Sequence, residues 1–338
     1  MKKVVVIEGG TGTSVVLSGL KGYADLDISV IVNMTDDGGS NAVVRDEFGV
    51  LPLSDLRKSI IALADEDYND ILRKLFIYRF HEGNGLSGHT LGNLLMLAAV
   101  DIYGSEKEAV KMFEDLFGTK GRIIPVTADN VRLVAEYRNG KRVIGEHLID
   151  EICEDKKIEK FGLSSSAKIC KEAEYEILNA DYIVIGPGDI YTSILACIVV
   201  NGVAEAIQRS RGKLVFVTNL MSKIGQTRGM THSDIVGLVE EYIGRKMDYI
   251  LINIGKISGD LVQRYINDGE SLIGDDMQSD KRVIRKNIVA NTEYIKDKGD
   301  TLKRSLVRHD PYKLGDALYY IFRGKIKGFL LSLLSRFY

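Results

Sequence analysis

Asn33-Met34-Thr35-Asp36-Asp37-Gly38-Gly39-Ser40 follows an apolar run from Ile28 to Val32, and this junction decides how the chain is read. The run reads as a buried strand. Two adjacent carboxylates at its C-terminal end are costly unless they meet solvent, a cation or N–H donors. Gly38 and Gly39 permit positive φ and close approach of a ligand to the backbone. In open α/β sheets, ligands bind outside the carboxyl ends of the strands. The stretch is therefore either a ligand-facing acidic loop or a solvated Asp/Gly turn.

Upstream, Lys3 to Ile7 reads as a first buried strand, followed by Gly9-Gly10-Thr11-Gly12-Thr13 and a helix from Ser14 to Leu20. Free N–H groups and the dipole at a helix start favour an anion at such a turn. Val15 stands where a dinucleotide fingerprint needs its third glycine, and no Walker lysine follows. Phosphate site and tight structural turn both remain open here.

Downstream, Ser54 is a candidate helix N-cap, with Asp55 in the first turn and Arg57 behind it. Tyr68 to Phe80 has an amphipathic helical pattern. Gly88-His89-Thr90-Leu91-Gly92-Asn93 opens an apolar helix, where His89 and Asn93 either face a ligand or His89 caps the helix. Around Arg138-Asn139-Gly140 the period becomes alternating, and Asn-Gly between such runs signals a hairpin. Asp181 to Ile185 is again a strand. It leads into Gly186-Pro187-Gly188-Asp189 and Tyr191-Thr192-Ser193, a second turn from strand to helix with Asp189 as its expected cap. Lys213 to Thr218 ends at Asn219. Residues 269–299 show no clear element, and Asp310-Pro311 opens a last helix.

Apolar strands alternating with amphipathic helices predict an α/β fold: a three-layer, Rossmann-like parallel sheet. The expected core is 1–65 and 166–322, with a helical and β-hairpin subdomain inserted at 66–165 and an apolar tail at 323–338. The tail's helical face, Ile326 to Leu334, suits docking or a subunit contact better than a membrane surface. A net charge of −2 gives no footprint for nucleic acid. Cys153, Cys170 and Cys197 form no Cys-x-x-Cys pair, and no apolar run reaches the roughly 20 residues of a membrane span. A reduced, cytoplasmic protein is expected.

Seven motifs stand in one order along 338 residues: Gly9-Gly10-Thr11-Gly12; Asp36-Asp37-Gly38-Gly39-Ser40; Gly49-Val50-Leu51-Pro52 with Asp55-Leu56-Arg57; Gly88-His89-Thr90-Leu91-Gly92-Asn93-Leu94; Gly186-Pro187-Gly188 with Tyr191-Thr192-Ser193; Asn219-Leu220-Met221; and Val307-Arg308-His309-Asp310-Pro311. In this the chain resembles the YvcK-type gluconeogenesis factor family, which shares a superfamily with the 2-phospho-L-lactate transferase CofD. The resemblance implies a cytoplasmic regulator of carbon metabolism and cell morphogenesis that binds a nucleotide sugar such as UDP-N-acetylglucosamine. The transferase branch implies a nucleotide-activated donor and Mg²⁺. It leaves homo-oligomerisation open.

On that resemblance, Gly10, Thr11 and Gly12 would cradle a phosphate, as would Gly188 and the start at Tyr191-Thr192-Ser193. Arg57 would pair with a phosphate oxygen. Asp36 or Asp37 would hold ribose hydroxyls or Mg²⁺, or act as a base in a transferase. Gly9, Thr13, Gly38, Gly39, Ser40, Asp55, His89, Asn93, Gly186, Pro187, Asp189 and Asn219 complete the expected ligand-binding set. The chain departs from the family pattern at Glu8, Asn41-Ala42-Val43, Leu53-Ser54, Lys58 and Asp189. Glu8 and Asp189 add negative charge beside the expected phosphates.

Overall fold

The computed structural model describes residues 1–65, 70–152, 157–295 and 305–324. Seven parallel strands form the main sheet: β1 (Lys2–Glu8), β2 (Leu26–Val32), β3 (Arg122–Pro125), β7 (Tyr182–Ile185), β8 (Lys213–Val217), β9 (Tyr249–Asn253) and β10 (Val283–Lys286). Their order is β10-β9-β8-β7-β1-β2-β3. The order turns back on itself between β1 and β7, which pair in parallel from Val4↔Tyr182 to Ile7↔Ile185. That is the switch point at which a crevice opens beyond the strand ends.

Val4 to Ile7, Val30 to Val32 and Ile183 to Ile185 are buried on both faces of the sheet, as apolar runs in parallel strands require. On one face helix Thr11–Leu20 packs against Ser54–Leu63 and Pro311–Phe322. A Cβ on Gly19 would lie 2.1 Å from the Pro311 carbonyl oxygen, so the helix crossing at Gly19 and Gly315 tolerates no side chain. The other face carries Lys171–Asn179, Val203–Arg209 and His232–Ile243. Three layers result, as the sequence predicts.

The insert boundary differs from expectation. β3 lies inside 66–165, yet it is the edge strand of the main sheet, with Ile123 and Ile124 paired to Val30 and Ile31. Helices Leu91–Tyr103 and Glu106–Phe117 share the main core through Met96, Phe113 and Phe117. What stands as a separate sheet is smaller: β4 (Leu133–Tyr137), β5 (Arg142–Ile144) and β6 (Ile158–Leu163), in the order β5-β4-β6. The expected hairpin is β4 with β5. Its sheet has a core of its own around Leu133, Tyr137 and Ile149.

Local differences have local causes. The helix after the acidic loop begins directly at Ser40 and runs to Phe48. The expected helix Tyr68 to Phe80 is described at Asp70–Ile77. β10 falls in the stretch without a clear element, since four residues ending in Arg285-Lys286 carry little apolar signal. Beyond Gly324 the apolar tail lies outside the described residues, as does the side chain of Glu8. Among the described residues, no helix is long and apolar enough to cross a membrane.

Candidate functional site

A cleft of about 1120 Å³ spans the switch point. Its floor is the turn after β1, the acidic loop after β2, the turn after β7 and the Asn219 segment after β8. Parallel strands deliver all four loops to the same edge.

At the first turn Gly10 has φ 88°, and helix Thr11–Leu20 starts directly behind it. First-turn N–H groups have no acceptor within their own helix. The Gly10 N–H is already taken: it donates to Asp55 Oδ2 at 2.8 Å. Asp55 in turn pairs with Lys58 at 2.7 Å, so the departure at Lys58 neutralises the carboxylate beneath the turn. Gly9, Thr11 and Gly12 line the cleft, whereas Thr13 is buried in the helix beneath it.

The acidic pair splits. Asn33 Oδ1 accepts from both the N–H and the hydroxyl of Thr35, which turns the chain after β2. The Arg45 guanidinium, buried beneath, donates to the Thr35 and Asp36 carbonyls. Asp36 then faces the cleft and Asp37 faces away. Asp37 accepts from Arg132 Nη1 at 2.8 Å and from the His147 N–H at 2.9 Å. The expectation that Asp37 contacts ligand is therefore corrected: its carboxylate ties the small sheet to the main one.

Asp36 Oδ1 accepts from the Gly38 N–H and Oδ2 from Asn41 Nδ2. Burial, then the nearby Asp55 charge, push its pKa up to about 6 despite Lys58 and those two hydrogen bonds. Asn41 Oδ1 accepts from Ser54, Ser54 from Asn93, and Asn93 Oδ1 from Arg57 Nε at 2.8 Å. The departures at Asn41 and Ser54 thus complete one chain of side chains from Arg57 to Asp36. Thr90, not His89, caps the following helix by accepting from the Asn93 N–H. His89 lines the cleft, buried, with Nδ1 lacking a partner.

The second turn is built differently. Asn219 clasps Gly188 from both sides, accepting from its N–H at 3.3 Å and donating to its carbonyl at 2.8 Å. The helix that follows begins as a π-type turn, Ile190–Leu195. Asp189 makes no side-chain cap; its carboxylate meets Lys223 Nζ at 2.6 Å. Lys223 also bonds Asp150, which accepts from Thr192 and Gln226. Burial alone would lower the Lys223 pKa, but the charges of Asp189 and Asp150 outweigh it and hold it above its usual value. Pro187, Thr192 and Ser193 line the cleft. Gly186 and Tyr191 do not: Gly186 is a tight bend at φ 77°, and the Tyr191 ring packs edge-on against Phe161.

Several lining residues were not expected. Glu146 and Asp150 lie one helical turn apart on Glu146–Asp150, the short helix after β5. Their i,i+4 spacing puts both on one face, a signal present in the sequence. Burial, then the charges of Asp36 and Asp150, push the Glu146 pKa well above its usual range. Lys223 carried no local signal of a site, and His309 stood in the last of the seven motifs without being expected at the ligand.

Asp and Glu outnumber Lys and Arg among the lining residues. Among the described residues, no group of three or more His, Cys, Asp or Glu side chains gathers as a metal cage. A Mg²⁺ here would rest on Asp36, ligand phosphate oxygens and water, an arrangement this ion accepts.

A parallel sheet in this order, with glycine turns on both sides of its switch point, defines a Rossmann-like α/β protein. The profile of the family described as 2-phospho-L-lactate transferase CofD matches residues 4–292, and the chain belongs to that family. Within it, the chain groups with the gluconeogenesis factors. A Thermotoga maritima protein provisionally described as one is 38% identical over 95% of this chain and 99% of its own length. The gluconeogenesis factor of Bacillus subtilis is 33% identical over 94% of this chain and 96% of its own. The crystal structure of a UPF0052-family protein from Bacillus halodurans superposes with TM-score 0.84 at 32% identity, over 94% of this chain and 99% of that one.

Proposed function

We propose that the cleft binds a nucleotide sugar of the UDP-N-acetylglucosamine type, and that the chain acts in the cytoplasm as a regulator of carbon metabolism and cell morphogenesis. The observation that carries the binding reading is the pair of glycine turns flanking the β1/β7 switch point, one opening the ten-residue helix Thr11–Leu20 into the cleft. A diphosphate lying across them meets first-turn N–H groups and the helix dipole. Asp36, Ser193 and Asn93 supply acceptors and donors for hydroxyl groups around it. The regulatory part rests on the relatives described as gluconeogenesis factors.

A second reading, a transferase with a nucleotide-activated donor and Mg²⁺, draws on the family description and on Asp36. A carboxylate with a pKa near 6 is suited to accept a proton from an alcohol. Binding of UDP-sugars, GDP and GTP, measured with Mg²⁺ and with EDTA, separates the two. The regulator reading expects UDP-sugar affinity that survives EDTA. Guanine-nucleotide preference with Mg²⁺-dependent turnover of a phospholactyl donor would select the transferase instead.

A further inference from the structure

We propose that Ser54 and Asn41 are positioning residues for the cleft carboxylate Asp36. With Asn93 they form a one-way hydrogen-bond relay that starts at the Arg57 guanidinium, sets the plane of the Asp36 carboxylate and favours its ionised form. Its bearing on ligand binding rests on the nucleotide-sugar reading; the relay itself does not.

Four hydrogen bonds join the two ends. Arg57 Nε donates to Asn93 Oδ1 at 2.8 Å, and Asn93 Nδ2 to Ser54 Oγ at 2.9 Å. Ser54 Oγ donates to Asn41 Oδ1 at 2.9 Å, and Asn41 Nδ2 to Asp36 Oδ2 at 2.7 Å. Arg57, Asn93 and Asn41 are buried. The direction of every link follows from the two ends, because a guanidinium only donates and an ionised carboxylate only accepts. Asn93 must turn its oxygen to Arg57, and Asn41 its nitrogen to Asp36. Between them the Ser54 hydroxyl takes one hydrogen bond and gives one. The dipoles line up head to tail, and such chains strengthen along their length where water is kept out.

Protonation of Asp36 breaks this order. A proton on Oδ2 toward Asn41 would require Asn41 to present its oxygen instead. The Asn41 nitrogen would then meet Ser54 Oγ, which already accepts from Asn93, and the Ser54 hydrogen would lose its acceptor. Asp36 Oδ1 is held as well, since it accepts from the Gly38 N–H at 2.9 Å. Both carboxylate oxygens are thus pinned, and each keeps a further lone pair. The relay works against burial, against Asp55 and against Glu146 on the facing helix; Lys58 and Arg45 act with it. The His147 ring flanks Gly38 beside Asp36. Ser54 carries no charge, so changing it leaves all of these groups in place.

Isotope-edited NMR titration of the Asp36 carboxyl, in the full chain without ligand, tests the relay. Ser54→Ala should move its midpoint from about 6 to between about 6.5 and about 7, the size of one lost hydrogen bond. Ser54→Thr, which keeps the hydroxyl, should return it to about 6. Arg57→Gln should also raise the midpoint, and that effect should shrink by about half or more in the Ser54→Ala background, where the path is cut. In calorimetry with UDP-N-acetylglucosamine, the pH dependence of affinity should move upward in Ser54→Ala by as much as the Asp36 midpoint does.

An unchanged midpoint in a folded Ser54→Ala overturns the relay and leaves the four bonds as packing. Additive effects of Arg57→Gln and Ser54→Ala overturn it too, since the charge would then act through space alone. A midpoint that moves as expected beside a wild type that binds no UDP-N-acetylglucosamine upholds the relay and overturns the nucleotide-sugar reading. Should Ser54→Ala not fold, the wild-type side-chain amide signals of Asn41 and Asn93 decide instead. Both must shift with the Asp36 midpoint, and an Asn93 signal that stays still overturns the relay.

Discussion

The two glycine turns look alike in sequence and do different things in the structure. Gly9-Gly10-Thr11-Gly12 opens a regular ten-residue helix whose first turn faces the cleft, and its acidic neighbour Asp55 is neutralised by Lys58. Gly186-Pro187-Gly188 leads into a π-type turn, is clasped by Asn219, and stands beside a cation held between two carboxylates. In the function proposed above, the first seats an anion. The second is a braced wall. A turn's composition says that the backbone approaches closely; what approaches it is set by the groups packed around the turn.

The largest effect should come from the first turn. Gly12→Asp places a carboxylate where the phosphate is to sit, and should weaken nucleotide-sugar binding about a hundredfold or more. Asp in a first helical turn is favoured by the dipole, so the melting temperature should hold. A folded Gly12→Asp that binds normally would break the comparison by removing the first turn from the site.

Lys223→Met should rank next, at roughly thirtyfold, because Asp150 and Asp189 then stand in the cleft without their shared cation. If affinity instead rose, the two acids would have to be ligand contacts that Lys223 blocks. Asn219→Leu, which removes both bonds to Gly188 and leaves charge untouched, should cost about tenfold. Crystals of that variant should show the second turn displaced and the first unmoved.

The smallest effect is a proton linkage. Asp36 titrates at about 6, and Glu146 well above its ordinary range; in each case burial is the main cause and neighbouring acids add to it. Both carboxylates are ionised at high pH, which opposes an anionic ligand. As pH falls from about 7.5 to about 5.5 Asp36 takes up a proton, so UDP-sugar affinity should rise about threefold to fivefold. The sugar-linked diphosphate has no group of its own titrating there. Calorimetry in buffers of different ionisation enthalpy should record proton uptake on binding. Affinity that falls with acidification would mean that the hydroxyl contact at Asp36 needs the ionised carboxylate and outweighs the relief of charge.

Much of the fold was legible because buried parallel strands are written as apolar runs. β1, β2, β7 and β8 each carry one, and each is found within a residue or two of its expected place. β3 and β10 were missed because they are four-residue edge strands; β3 contains a proline, and β10 ends in Arg285-Lys286. The insert was drawn too large for the same reason, since β3 marks where the main sheet resumes.

The site was legible where glycines and strand ends coincide, and not where a choice of direction decides. Asp36 and Asp37 are identical neighbours, and only the buried Arg45 beneath the loop and Arg132 beside it show which one faces the cleft. Lys223 reaches the cleft through long-range packing, which leaves no local pattern, and the motif around His309 does not itself say that the chain returns to the cleft there.

The central claim is that the first glycine turn seats the diphosphate of a nucleotide sugar. Calorimetric titration of UDP-N-acetylglucosamine into wild type and Gly12→Asp, both in EDTA, tests it most directly. The account predicts saturable one-to-one binding to wild type and none detectable in a folded Gly12→Asp. Equal binding to both, or no binding to wild type, would contradict it.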